Sequence, residues 1–290
     1  MKLHRLRDLM LAGGGHLSAA SGLLRLRGQL FVVADDALHL GVLDADAAKP
    51  VRLLRLFDGE LPLEPTVRKA AKPDLETLLE LPALPDWPQG ALLALGSGSR
   101  PNRQRGVLLA WDAAGGFSAP REIDLAPLYA PLRAHFAELN IEGGFILAGE
   151  LRLLQRAGNA CIRYDAAAFS AWLGGHAAAP TVLAIERFDL GQIDGVPLSF
   201  TDGAALPDNS GWVFSAVAEN ASDSYLDGPC LAAALGCIGA DGALRWLQRL
   251  DPVWKVEGIA VQAIANGLCL TLVTDADDPA TPAHLMTAQL

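Results

Sequence analysis

The sequence predicts an all-β protein: a single five-bladed β-propeller, closed by an N-terminal outer strand in the last blade, with short helices in the connections. Three observations carry this prediction. Apolar runs are brief, and 29 Gly and 18 Pro are spread along the 290 residues, as short strands and tight turns require. A carboxylate followed by small residues and an apolar run recurs in Asn140-Ile-Glu-Gly-Gly-Phe-Ile146, Thr201-Asp-Gly-Ala-Ala-Leu206 and Lys255-Val-Glu-Gly-Ile-Ala-Val261. The last unit is complete only if the N-terminus supplies its outer strand, which is how a ring of four-stranded sheets closes.

Taken in order, the first unit reads as Ser21–Leu26, Leu30–Asp35, Gly41–Asp46 and Val51–Phe57. The second reads as Asp74–Leu79, Ala91–Gly98, Gly106–Trp111 and Arg121–Leu125, although Asp74–Leu81 also suits a helical period. The third begins at Asn140 and continues through Leu151–Arg156. The fourth comprises the Thr201 segment, Trp212–Glu219, Ala234–Gly242 and Leu244–Leu250. The fifth pairs the Lys255 segment with Leu268–Asp275 and takes Lys2–Arg7 as its missing strand. With markers at Ser21, Asp74, Glu142, Asp202 and Glu257 the spacings are 53, 68, 60 and 55 residues. The blades are therefore expected over 21–60, 74–125, 140–190, 200–250, and 255–290 with 1–10, all in one domain. Leu125–Leu139 and Ala166–Leu173 have helical spacing, the first broken by Pro127 and Pro131.

Composition excludes several classes. At 51% apolar and 19% charged the chain is too hydrophobic for disorder. A net charge of −10 leaves no basic stripe for a nucleic-acid backbone. No apolar run approaches the ~18 residues a membrane span needs, and Leu9–Ala12 is too short for a secretory signal, so a cytoplasmic location is expected. Cys161, Cys230, Cys237 and Cys269 form no CxxC pair and read as free thiols. There is no GxSxG elbow and no phosphate-binding P-loop motif, and the six histidines are scattered.

On Asn140-Ile-Glu-Gly143, Phe200-Thr-Asp-Gly-Ala-Ala-Leu206, Val217-Ala-Glu-Asn220, Val256-Glu-Gly258 and Gly96-Ser-Gly-Ser-Arg-Pro101, the chain resembles an uncharacterised bacterial family of small propellers. That family is distantly similar to phytase-like and esterase-like propellers. The resemblance implies a metal or polar ligand at the mouth of the central channel, without implying a substrate.

The first strand of each blade lines the channel, so the repeat places Asp74, Glu142, Asp202 and Glu257 around one ring. Carboxylates crowded in this way need a hard cation, protonation or interleaved arginines. A divalent cation, calcium first among them, is expected on these four residues. The alternatives are backbone N–H donors from neighbouring blades, or carboxylate–Arg pairs. Arg100, Arg103 and Arg105 form the one local basic cluster. Arg100 and Arg105, with Arg156, Asn159, Lys255 and Asp275 at or beside equivalent strand ends, are expected to bind a small anionic ligand. The polar loop Glu219–Pro229 is a candidate lid over the mouth. Three functions follow: a metal-organised binding protein; a metal-dependent phosphoesterase or lactonase with Glu219 activating water; or a protein-interaction platform.

Overall fold

The computed structural model describes residues 1–44, 49–219 and 228–290. Five antiparallel four-stranded sheets follow one another along the chain. Blade 1 runs Ala20–Leu26, Gln29–Ala34, His39–Asp44 and Arg52–Arg55. Blade 2 runs Leu75–Leu81, Ala91–Gly96, Arg105–Ala110 and Arg121–Asp124. Blade 3 runs Ile141–Leu147, Glu150–Gln155, Ala160–Asp165 and Ala184–Arg187. Blade 4 runs Ser199–Ala205, Gly211–Glu219, Cys230–Gly239 and Leu244–Arg249. Blade 5 runs Val256–Ile264, Gly267–Thr274 and His284–Gln289, and takes His4–Asp8 as its outer strand. That closure is as expected: His4–Asp8 pairs antiparallel with His284–Gln289.

The five innermost strands form a ring in which each lies beside its two neighbours. The core is divided between the blades. Trp212, Phe200 and Phe214 pack with Phe145 between blades 3 and 4. Phe31, Leu75 and Trp111 fill the gap between blades 1 and 2. A single four-stranded sheet exposes both faces, so only stacking against two neighbours buries this apolar surface.

Leu75–Leu81 is a strand, which resolves the ambiguity between helical and strand periods in favour of the blade. Ala166–Leu173 is a helix, capped by Asp165 Oδ1 accepting from Ala168 N at 2.7 Å. In the 125–139 stretch the prolines leave one helical turn, Ala126–Tyr129, followed by a 3-10 segment over Ala130–Ala134. A helix over Pro65–Ala71 was not foreseen, because it is short and none of its side chains is buried. No helix among the described residues is long and apolar enough to cross a membrane. Cys161 and Cys237 are buried, Cys230 and Cys269 half-buried, and none is in a disulfide.

Candidate functional site

All five innermost strands carry a β-bulge at the same place. The register slips between Ala20 and Gly22, Leu75 and Thr77, Ile141 and Gly143, Phe200 and Asp202, and Val256 and Gly258. The bulged residues Ser21, Glu76, Glu142, Thr201 and Glu257 are therefore equivalent, and a bulge re-aims the extra residue's side chain. The residue before each bulge is apolar and fully buried. The residue after it meets the next blade: a Cβ on Gly143 would lie 2.5 Å from Asp202 Oδ1, and one on Gly258 would lie 3.0 Å from the Leu23 backbone nitrogen. The Glu-Gly pair thus combines a channel-facing carboxylate with the one residue type that allows this close approach.

This geometry corrects two of the expected ring positions. Asp202 occupies the Gly-equivalent place after the bulge, not the bulge itself. It does not line the channel mouth. Its carboxylate accepts from Ile259 N at 2.9 Å and Gly203 N at 2.7 Å, pinning blade 4 to blade 5. Asp74 lies two residues before the bulge, in the left-handed region at φ 59°, a conformation Asp tolerates better than most residues. The true counterpart of Glu142 and Glu257 is Glu76. The signal was present in the sequence, since Leu75-Glu-Thr repeats the apolar-Glu-small order of Ile141-Glu-Gly and Val256-Glu-Gly.

Of the bulged residues, Ser21, Glu76, Glu142 and Glu257 line a cavity of about 710 Å³ at one mouth of the channel. Its described lining holds eleven acidic and six basic side chains and no aromatic one. On one side, the Lys72 ammonium is paired with Asp35 and lies 3.1 Å from Asp74 Oδ1. Asp74 Oδ2 also accepts from Arg103 Nη1 at 2.8 Å and from Ser97 Oγ. On the other side, Arg156 bridges Glu142, 3.2 Å away, and Glu219. The Lys255 ammonium donates to Asp277 Oδ1 at 2.6 Å and lies 2.9 Å from Glu219 and 3.3 Å from Glu257. These last two contacts pair charge without hydrogen-bond alignment, which leaves Glu219 Oε1 and Glu257 Oε1 without a hydrogen bond.

Glu76 differs from its neighbours. It is 8% exposed and lines the cavity, yet among the described residues its carboxylate has no hydrogen bond or ion pair. One oxygen each from Asp35, Asp74 and Glu76 lie within 4.8 Å of one another, close enough to share a metal ion. Asp35 Oδ1 is buried without a hydrogen-bond partner.

Burial dominates the proton affinities here. It raises the Glu76 carboxyl well above the usual range, reinforced by Glu142, Asp74 and Asp35. It also pushes Glu142 up to about 8 against the pull of Arg156, with Glu257 and Asp74 adding to the rise. Asp35, Glu257 and Asp275 move up for the same first reason, each against a nearby Lys. Burial opposes the charge on Lys72, but Asp35, Asp74 and Glu76 more than offset it and raise its pKa.

Of the residues expected to clamp an anion, Arg156, Lys255 and Asp275 line the cavity. The two cations among them are already held by carboxylates. Arg100 is exposed and outside the lining. Arg105 points along the blade, 2.5 Å from Glu122 and over the Phe57 ring. Alternation explains the split: Arg103 leaves a 3-10 turn toward the mouth, whereas Arg105 has entered a strand on its outer side. Asn159 ties two blades, accepting from Phe200 N and donating to Leu198 O. Glu219, expected to activate water, is held by Arg156 and Lys255 and links blades 3, 4 and 5. Residues 220–227 of the expected lid lie outside the described residues.

Fold and site together define a five-bladed β-propeller with an acidic, cation-laced cavity at one channel mouth. The chain belongs to DUF6929, a family of unknown function, whose model matches residues 16–290. None of the curated proteins matches it. Among solved structures it is similar to Myxococcus xanthus glutaminyl cyclase, with 13% identity and a TM-score of 0.53 over 99% of this chain and 96% of that one. It is also similar to the PQQ-bound aldose sugar dehydrogenase of Streptomyces coelicolor, with 15% identity and a TM-score of 0.47 over 98% and 97% of the two chains. Against Kuenenia stuttgartiensis hydrazine synthase, at 11% identity and a TM-score of 0.39, the match covers 90% of this chain and 57% of that one. At 13% identity the likeness to the glutaminyl cyclase concerns the fold alone.

Proposed function

We propose that the protein binds a divalent cation, calcium first among the ions it suits, on Asp35, Asp74 and Glu76, and that the cation holds a small anionic ligand in the cavity. The observation that carries this is Glu76: a buried residue whose carboxylate has no hydrogen bond or ion pair among the described residues and only the more distant Lys72 charge to offset it, facing two other carboxylates within 4.8 Å. A buried charge without a hydrogen-bonded counter-ion is costly, so such a group tends to take up either a proton or a cation. The donor set is all oxygen, which suits a hard cation. Calcium takes 6–8 oxygen ligands, so positions beyond three carboxylates are left for water and for the oxygens of an anion. The ligand's negative charge then meets the metal, and Arg156 and Lys255 keep their carboxylates.

The test is thermal unfolding and titration calorimetry of the EDTA-treated protein with calcium or manganese chloride. The expected result is one tight site and a rise in Tm, both lost in Glu76→Gln and Asp74→Asn. Unchanged melting and no binding heat in the parent would overturn the proposal.

A hydrolytic reading is favoured by a second observation. Glu142, held up to about 8 and facing the same cavity, is poised to exchange a proton near neutral pH. It replaces Glu219 as the acid–base group of a phosphoesterase or lactonase. That reading expects cation-dependent turnover of a phosphate ester or lactone that collapses in Glu142→Gln, while cation affinity is retained.

A further inference from the structure

The helix Pro65–Ala71 stands at the edge of the cavity, with Pro65, Arg68 and Lys69 in its lining. It buries no side chain of its own. Polar ties attach it to the propeller: Arg68 Nε donates to Asp36 Oδ2 at 3.2 Å, Asn102 Nδ2 to the Ala70 and Lys72 carbonyls, and Arg103 Nη2 to Lys69 O at 2.9 Å. At its C-terminal cap is Lys72, whose ammonium lies against Asp35 and Asp74. Those are two of the three carboxylates that converge on the cation position.

We infer that Lys72 is a built-in competitor for the cation site: its ammonium neutralises Asp35 and Asp74 until a divalent cation displaces it, and the displaced lysine loosens the helix it caps. The inference rests on the cation reading above. An ammonium and a divalent ion that share two carboxylates repel each other at ion-pair distance, so both cannot be held at full strength. The lysine therefore sets the threshold of the site. A monovalent ion gains too little to replace it, whereas a divalent ion meets Asp35, Asp74 and Glu76, which has no ion pair of its own, together. Because Lys72 closes the last turn, its backbone N–H donating to Arg68 O, release of its side chain removes a tie at the helix end nearest the cluster. Cation occupancy is thereby linked to access through this edge of the cavity.

The test uses calcium and manganese chloride on the full chain. In Lys72→Met, calorimetric affinity for either ion is expected to rise by on the order of tenfold or more, the least expected from removing one competing charge at ion-pair distance. Lys72→Arg keeps the charge and is expected to show no such gain. Equal or weaker binding in a folded Lys72→Met would overturn the inference. A second measurement needs no variant: amine labelling of Lys72 in the parent protein, read by mass spectrometry, together with amide exchange over 66–72. Both are expected to speed up when the cation is added, and unchanged rates despite binding would overturn the inference. If the parent binds and Lys72→Met gains nothing, the cation site stands and the competitor falls. If neither binds, both fall. If only Lys72→Met binds, no cation displaces the lysine in the parent, and that outcome too overturns the inference.

Discussion

Blades 1 and 4 use the bulged position differently from blades 2, 3 and 5, although the backbone is the same in all five. In blade 1 Ser21 Oγ donates to Leu75 O at 2.5 Å, and in blade 4 Thr201 Oγ1 donates to Val256 O at 2.7 Å. Each hydroxyl satisfies a carbonyl of the next blade and staples the ring. The glutamates of the other three blades reach the cavity instead, where they need charge partners. A single structural device therefore serves packing where the side chain is short and chemistry where it is long. The second use leaves requirements unfilled, most of all at Glu76.

This contrast can be broken at several points. The largest effect is expected at the charge partner of a glutamate blade. Arg156→Met removes the ion-pair partner of the buried Glu142 and leaves Glu219 with Lys255 alone, and should cost about 3–5 kcal/mol in urea unfolding. A staple is worth less: Thr201→Val leaves Val256 O and Ser215 Oγ without their partner, an expected loss of about 1–3 kcal/mol. Cation affinity by calorimetry should not change in that variant. Glu76→Gln should do the reverse. It changes stability in EDTA by less than about 1 kcal/mol, since burial favours the neutral form of this carboxyl and the amide matches it in size, but it removes the cation response.

The smallest effect is a pH dependence. Glu142 has a folded pKa of about 8 against an ordinary value of 4.5, so the folded state binds the extra proton between them. The stability it contributes is fully present below about 4.5 and is lost as pH rises through about 8. Glu76 and Asp275 shift in the same direction. Acids held low by partners, such as Glu150 beside Arg163, lose their contribution only as pH falls below the usual carboxylate range. Melting of the metal-free protein should therefore decline from pH 5 to pH 8, and Glu142→Gln should flatten that decline. A Tm that rises over this interval would contradict the burial of these acids.

Much of the fold was legible because a blade writes its period into the chain. The Glu-Gly pairs, the apolar second strands and the short final unit all followed from four strands that must stack in a ring. The site was less legible, and the misplacement of Asp74 and Asp202 shows why. A bulge shifts register by one residue, and a marker chosen for its charge alone does not reveal on which side of the bulge it falls. Arg100 and Arg105 failed for a related reason: three arginines within six residues look alike in sequence, but a 3-10 turn followed by a strand sends Arg103 inward and Arg105 outward.

The four-stranded unit, the five-part repeat and the closure by residues near the N-terminus can all be read from the chain. These depend on local alternation and on the burial each sheet face requires. Only the tertiary structure decided which carboxylates meet. Asp35 leaves the second strand of blade 1, whereas Asp74 and Glu76 begin blade 2, and Lys72 reaches them from a helix that periodicity did not reveal. Their meeting depends on the angle between neighbouring blades and on the bulge that turns Glu76 inward. Both are properties of the closed ring, which no single stretch of the chain encodes.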